Sequence, residues 1–397
     1  MKIYADNAAT TKMSKRAIDA MLPFMGTLYG NASSLHTDGQ RAAEALLSAR
    51  ERIAGRLGCE PSEIIFTSGG SEADTQALMS AAALGERHNK KHIISTTFEH
   101  HAILHTLEAL EKRGFEVTLL PVGESGIVSV EQVEAAIRPD TCLVTIMYAN
   151  NEIGTIQPVA DIGRLCREKG VLFHTDSVQA VGHLAIDVKE QCIDMLSLSA
   201  HKFHGPKGIG ALYVRKGIQP VSVIYGGGQE RGKRAGTENI PAIMAMAEAL
   251  DEICENMEEK AARLSEMRDR LIRGLNRIPH GVLNGDALRR LPGNVSFCFE
   301  GVEGEALLLY LDDKGISASS GSACTSGSLD PSHVLLALGR PHEIAHGSLR
   351  LSLGEEITRE EVDYMIDTVT EVVEKLRSMS PVWRDLQSGN RAYMTEA

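Results

Sequence analysis

The sequence predicts an α/β fold: a large domain with a mostly parallel sheet covered by helices, followed by a smaller α/β C-terminal domain. Three observations carry this. Short β-branched runs alternate with helical runs from residue 63 to residue 214. The strand candidates read as continuous apolar segments, the pattern of strands buried on both faces, and not as a clean polar–apolar alternation. After a long helical stretch at 238–278 the pattern changes to a few strands among helices, as a second core requires.

In order, residues 1–13 hold Asp6-Asn7-Ala8-Ala9-Thr10-Thr11 and read as turn. A helical pattern covers 14–24, and a loop of small polar residues runs from Gly30 to His36. Between Asp38 and Leu57, Ala42, Ala45, Leu46, Ala49, Ile53 and Leu57 recur at helical spacing. Strands are expected at 63–67, 92–96, 116–120, 142–147, 171–175, 194–198 and 211–214, with helices at 71–85, 101–113, 129–137 and 159–169. These make a large domain of residues 14–255. The stretch 238–278, charged over 255–273, bridges to a small domain made of residues 1–13 and 256–385. That domain is expected to hold strands at 294–299 and 348–353 and helices at 304–312 and 359–377. Residues 386–397 are polar and read as a loose tail.

Composition narrows the function. The net charge is −12 and no basic cluster stands out, which argues against a surface that tracks nucleic-acid phosphates. No apolar run approaches the length of a membrane span, and the N-terminus lacks a signal-peptide core, so a cytoplasmic protein with no membrane or nucleic-acid partner is expected. Seven cysteines (59, 142, 166, 192, 254, 298 and 324) include no C-x-x-C pair, and the histidines show no metalloprotease-type spacing. Neither a disulfide framework nor a metal site is indicated.

The chemistry-bearing residues gather where strands end. Leu196–Gly210 runs from a strand into Ser199, His201, Lys202 and a glycine-rich turn. A lysine shielded from water there becomes a nucleophile toward a carbonyl, as a lysine holding pyridoxal phosphate must be, with Ser199 and His201 near the phosphate. An ordinary strand-to-loop connection reads the same way. Thr67-Ser68-Gly69-Gly70-Ser71-Glu72 ends a strand and starts a helix, which makes either an anion site or a plain cap by Ser71. Phe173–Gln179 ends another strand, where Asp176 could pair with a protonated ring nitrogen and Gln179 could donate to a phenolic oxygen. Tyr148–Gly154 offers the amides of Asn150 and Asn151, and Phe98–His101 offers His100 to stack on a flat ring. The loop Gly226–Asn239 is glycine-rich and basic, fit to bind phosphate or simply to join domains. Cys324 stands among small polar residues from Ser317 to Pro331, a setting for a reacting thiol more than for core filler.

With these pieces assembled, the chain resembles the pyridoxal-phosphate cysteine desulfurases of the NifS/IscS type. The motifs are Ser199–Gly208, His174–Gln179, Arg234–Asn239 and Ser319–Gly327, and the likeness runs from Asp6 to Leu353. The resemblance implies an aspartate-aminotransferase-like architecture, PLP fold type I. It implies Lys202 as the Schiff-base residue, Cys324 as the sulfur acceptor, Asp176 on the pyridine nitrogen and His100 stacked on the ring, assisting proton transfer. Asn151 and Gln179 would lie near the phenolic oxygen. Gly70, Ser71, Ser199 and His201 would hold the phosphate, with Thr237 supplied by the other subunit of a homodimer, and Asn31 and Arg350 would grip the substrate carboxylate. The implied reaction converts L-cysteine to L-alanine and leaves a persulfide on Cys324, for an iron–sulfur scaffold or another sulfur-acceptor protein. A selenocysteine lyase or another class-V aminotransferase-like enzyme is the alternative. Ala32, Ala200 and Ser71 stand where the family commonly has proline, glycine or serine, and threonine.

Overall fold

The computed structural model describes residues 1–320 and 331–395. The chain opens with β1 (Ile3–Tyr4), α1 (Lys15–Gly26) and α2 (Thr37–Leu57). Then come β2 (Ile64–Thr67), α3 (Gly70–Arg87), β3 (His92–Thr96), α4 (His101–Glu111), β4 (Glu116–Leu120), α5 (Val130–Ala136), β5 (Thr141–Thr145), α6 (Val159–Lys169), β6 (Leu172–Asp176), β7 (Met195–Ser199) and β8 (Gly210–Val214). Two long helices follow, α7 (Ile240–Cys254) and α8 (Met257–Leu275). The remainder is β9 (Gly281–Leu283), β10 (Asn294–Phe299), α9 (Gly304–Asp313), β11 (Ile316–Ser317), α10 (His333–Ala337), α11 (His342–Ala345), β12 (Ser348–Ser352), α12 (Arg359–Met379) and α13 (Pro381–Gln387).

The central sheet has the order β2-β8-β7-β6-β5-β3-β4. β3 to β7 run parallel, while β8 is antiparallel to both β2 and β7. Both faces are apolar because both are covered. Ile64 and Phe66 point into a core with α1, α2, α6 and α7, and Ile65 points into the opposite core with α3 and α4. The carboxyl ends of β2, β3, β5, β6 and β7 therefore open on one edge, which is where open α/β sheets bind ligands.

A three-stranded antiparallel sheet, β12-β10-β9, forms the second unit, backed by α8, α9 and α12 around Phe297, Leu307, Leu351 and Val369. β1 pairs in parallel with β11, and Ile3 and Ala5 lie in that same core. The first residues of the chain thus reach the second unit before the polypeptide crosses to the large sheet.

Two sequence expectations change. The helical stretch at 238–278 is two helices, because Asn256 takes a left-handed conformation (φ 54°) between them. The tail beyond 385, expected to be loose, is held as far as Thr395: Tyr393 stacks on His280 at 3.8 Å, and Glu300 accepts the backbone N–H groups of Met394 (2.9 Å) and Thr395 (3.1 Å). Among the described residues, no helix is long and apolar enough to cross a membrane.

Candidate active site

The anion cup is built first by β2 and α3. Gly69 and Gly70 bring the start of an 18-residue helix against the turn after β7. A Cβ on Gly70 would sit 2.7 Å from Val178 Cγ2, and one on Gly210 would sit 2.8 Å from Gly69 Cα, so side chains are excluded where the backbone must close in. Ser71, Ser199, His201 and Lys207 line the cup with Thr10. The free N–H groups of the first turn and its dipole favour a dianion there. His201 Nδ1 pairs with Thr10 Oγ1 at 3.1 Å, and burial, with the nearby Lys202 and Lys207 charges, lowers its pKa to about 4. At neutral pH His201 is therefore an uncharged hydrogen-bonding group.

Beside the cup, Lys202 ends a short 3-10 turn after β7 (residues 200–202). Its Nζ donates to Ala8 O at 2.6 Å and Ala9 O at 2.9 Å, and Gln179 Nε2 donates to Ala8 O at 3.0 Å. Asp6, which begins that same turn, accepts from Arg350 Nη2 at 2.9 Å. Arg350 stands on β12, is buried, and also donates Nη1 to Asn151 O at 3.2 Å. One N-terminal turn thus joins a lysine amine and a glutamine amide of the large sheet to an arginine of the small one.

Deeper in, Asp176 ends β6, and its Oδ1 accepts the Val178 N–H at 2.9 Å. Asp74 on α3, His100 and Asp176 place ligand atoms within 4.8 Å of one another. Burial, then the neighbouring Asp176, hold Asp74 well above the usual carboxylate range. Burial raises Asp176 too, and the charges of His100 and Lys202 pull it back. Asp74 is the member of this pair that keeps its proton, since two carboxylates so close in a dry site cannot both ionise. Below them His174 bonds Thr145 Oγ1 (2.8 Å) and Ser197 Oγ (3.0 Å), and burial takes its pKa down to about 3. Asp176 is thus a buried acceptor beside a proton-bearing carboxyl, suited to a protonated ring nitrogen.

His100 caps α4, its Nδ1 accepting the Ala102 N–H at 3.1 Å. Its position rests on buried Glu99, which accepts from Thr96 Oγ1 (2.6 Å) and from Met147 N; burial pushes Glu99 up to about 8. Asn150, of the two adjacent amides, is structural: its side chain ties Phe98 O to the N–H groups of Glu152 and Ile153.

Not every expected residue converges within one chain. Asn31 is exposed and its Oδ1 accepts from Ser33 N at 2.9 Å. Thr237 is exposed on the 226–239 loop and does not line the cup. Cys324 lies outside the described residues. Sequence reasoning gave no role to Asp6, Asp74, Glu99 or Lys207. For Asp74 a signal existed, a carboxyl on the apolar face shared by Ala73, Ala77, Leu78 and Ala81.

The donor set therefore combines an anion cup, a lysine amine held by the N-terminal turn, and a buried carboxylate for a ring nitrogen. The class of protein that this fold and site define is confirmed by comparison: the family model for aminotransferase class-V matches residues 3–365, and the chain belongs to that family. A Clostridium botulinum protein named cysteine desulfurase IscS is 54% identical over 387 residues, covering 97% of each chain. A solved NifS-like protein superposes with a TM-score of 0.88 at 39% identity, over 94% of this chain and 100% of its own. The structure titled "SspA in complex with cysteine" matches with a TM-score of 0.79 at 38% identity, over 89% of this chain and 99% of its own. Within the class-V family the chain is a cysteine desulfurase.

Proposed function

We propose that the site binds pyridoxal phosphate and converts L-cysteine to L-alanine, passing the sulfur to Cys324 as a persulfide. The observation that carries this reading is the Asp6–Ala9 turn, which gathers the Lys202 amine, the Gln179 amide and the Arg350 guanidinium at one edge of the cleft.

Lys202 would hold the cofactor's aldehyde carbon, with His100 against the ring. Gly70, Ser71, Ser199 and His201 would hold the phosphate, and Asn151 with Gln179 would lie near the phenolic oxygen. When bound, the cofactor supplies an electron-poor ring that draws charge from the substrate's α-carbon. Asp176 keeps the ring nitrogen protonated. Arg350 receives the substrate carboxylate on its planar fork, and Asn31 assists. The Lys202 amine would take the α-proton and return it. The Cys324 thiolate forms a bond to the substrate sulfur as the carbon–sulfur bond breaks, so cysteine and one enzyme thiol become alanine and one enzyme persulfide.

The enzyme would act as a homodimer, because Thr237 is exposed and away from its own chain's cup. Its persulfide would supply an iron–sulfur scaffold or another sulfur-acceptor protein in the cytoplasm. The deciding experiment incubates the protein loaded with pyridoxal phosphate with L-cysteine and measures alanine, sulfide and keto acid. Alanine with one extra sulfur on the Cys324 peptide is expected; keto acid without sulfur transfer would make it an aminotransferase.

A further inference from the structure

Arg350 already holds a carboxylate, and that carboxylate belongs to the chain itself. Its Nη2 donates to Asp6 Oδ1 at 2.9 Å and its Nη1 to Asn151 O at 3.2 Å. Its Nε, buried, has no hydrogen-bond partner among the described residues. A guanidinium grips a carboxylate best with two parallel N–H groups, and the edge made by Nε and Nη2 is one such pair. Here that edge is half used: Nη2 is taken by Asp6 and Nε is idle. A buried donor left idle costs free energy, so it points to a ligand that the fold expects.

Asp6 is fixed for this role by the backbone. It bridges Ser352 on β12, Asn7 N donates to Ser352 O at 3.3 Å, and Asp6 O accepts the Ala9 N–H at 3.1 Å. Its side chain keeps some contact with water, 22% against 3% for Arg350. It can therefore give ground to an arriving anion without leaving a dry charge behind.

We propose that Asp6 is a positioning residue that acts through Arg350: it neutralises and aims the guanidinium in the empty site and competes with the substrate carboxylate for it. The inference rests on the reading of Arg350 as the carboxylate grip. It follows that Asp6 sets the threshold for binding. Only a ligand that brings a carboxylate together with other contacts displaces it, and simple carboxylate anions are turned away.

The test uses the holoenzyme and 3-mercaptopropionate, which has the thiol and carboxylate of cysteine but no amine to react. Titration calorimetry compares wild type, Asp6→Asn, Asp6→Ala and Arg350→Gln. Asp6→Asn keeps an acceptor for Nη2 and removes only the charge. It should bind the probe about tenfold more tightly than wild type, and acetate should become a measurable competitor. Asp6→Ala should shift in the same direction, and in both variants KM for cysteine should fall more than kcat. Equal or weaker binding by the Asp6 variants, with binding lost in Arg350→Gln, overturns the competition while leaving the carboxylate grip standing. Unchanged binding in Arg350→Gln overturns the grip and the inference together. Should Asp6→Asn lose its cofactor band, Asp6→Ala alone decides.

Discussion

His204 Nε2 lies 2.8 Å from Glu355 Oε2, joining the loop of Lys202 to the turn after β12. His204 Nδ1 meets a second acceptor, Lys12 O, at 2.9 Å, so the ring satisfies both bonds only as an imidazolium. Burial pulls His204 down, and the bond and charge of Glu355 more than reverse it; burial pushes Glu355 up, and His204 takes it down to about 2.

The pH dependence of this seam follows. The raised His204 pKa stabilises the fold fully below the free-histidine value of about 6.5 and is lost as pH rises through the folded value. The lowered Glu355 pKa contributes above the free-glutamate value of about 4.3, and that contribution is lost as pH falls toward about 2. Glu355→Gln should therefore cost about 1–2 kcal/mol at pH 6 and much less at pH 9. Urea unfolding at the two pH values checks it; an equal loss at both would mean the pair is not ionic.

Lys202→Ala removes the amine that Ala8 O and Ala9 O now hold. The visible band of the lysine-bound cofactor should vanish, and activity should fall by several orders of magnitude because the same amine moves the α-proton. A spectrum like that of wild type, with turnover, would contradict the assignment.

Cys324→Ser should leave cofactor binding intact, since the cup and ring site are made from β2, β6, β7 and the N-terminal turn. Sulfide release from L-cysteine should drop to background. Sulfide at the wild-type rate would reduce this thiol to a bystander.

Gly210→Ala tests the backbone closure behind the cup. The new Cβ would lie 2.4 Å from Leu198 O and 2.8 Å from Gly69 Cα, and neither atom is the end of a flexible side chain. Overpacking of this kind costs about 1–3 kcal/mol. Here it also displaces the helix start, so cofactor affinity should fall along with the melting temperature. Loss of stability with unchanged affinity would separate Gly69 from the anion cup.

The inner strands of the large sheet were legible because burial on both faces leaves mostly β-branched and apolar runs, as in the fully buried His92–Thr96; the edge strand Glu116–Leu120 was also found at its expected limits although Glu116 and Leu119 are exposed. Direction was not written there: β8 is as apolar as β7 yet runs the other way, since a short glycine-rich connection returns it alongside. The break at Asn256 escaped because one left-handed residue leaves no periodic trace. Lys202, Asp176 and Arg350 could be named from motifs. Asp6–Arg350 could not, as its partners are 344 residues apart and only folding brings them together. The tail was misjudged for the same reason: its polar composition hides Tyr393 stacking on His280 and the backbone N–H groups of Met394 and Thr395 donating to Glu300.

Thr237 stands on an exposed loop near several exposed apolar side chains of the N-terminal segments. Leu22, Met25, Tyr29, Leu35 and Tyr225 are exposed by 57%, 63%, 79%, 93% and 89%, the kind of large apolar exposure that a protein–protein contact covers. The loop that holds Leu35 and the loop that holds Thr237 are neighbours, for Ala32, Ser33 and Leu47 line one cavity with Gln229, Arg231 and Glu238. A second copy laid on this face would cover the apolar side chains and could carry Thr237 toward the other cup. Charges there should therefore break two properties at once. Leu35→Asp with Tyr225→Glu should sediment as a monomer and release its cofactor faster than wild type on dilution. A variant that remains a dimer, or a monomer that holds the cofactor as tightly as wild type, would remove this face, or Thr237, from the site.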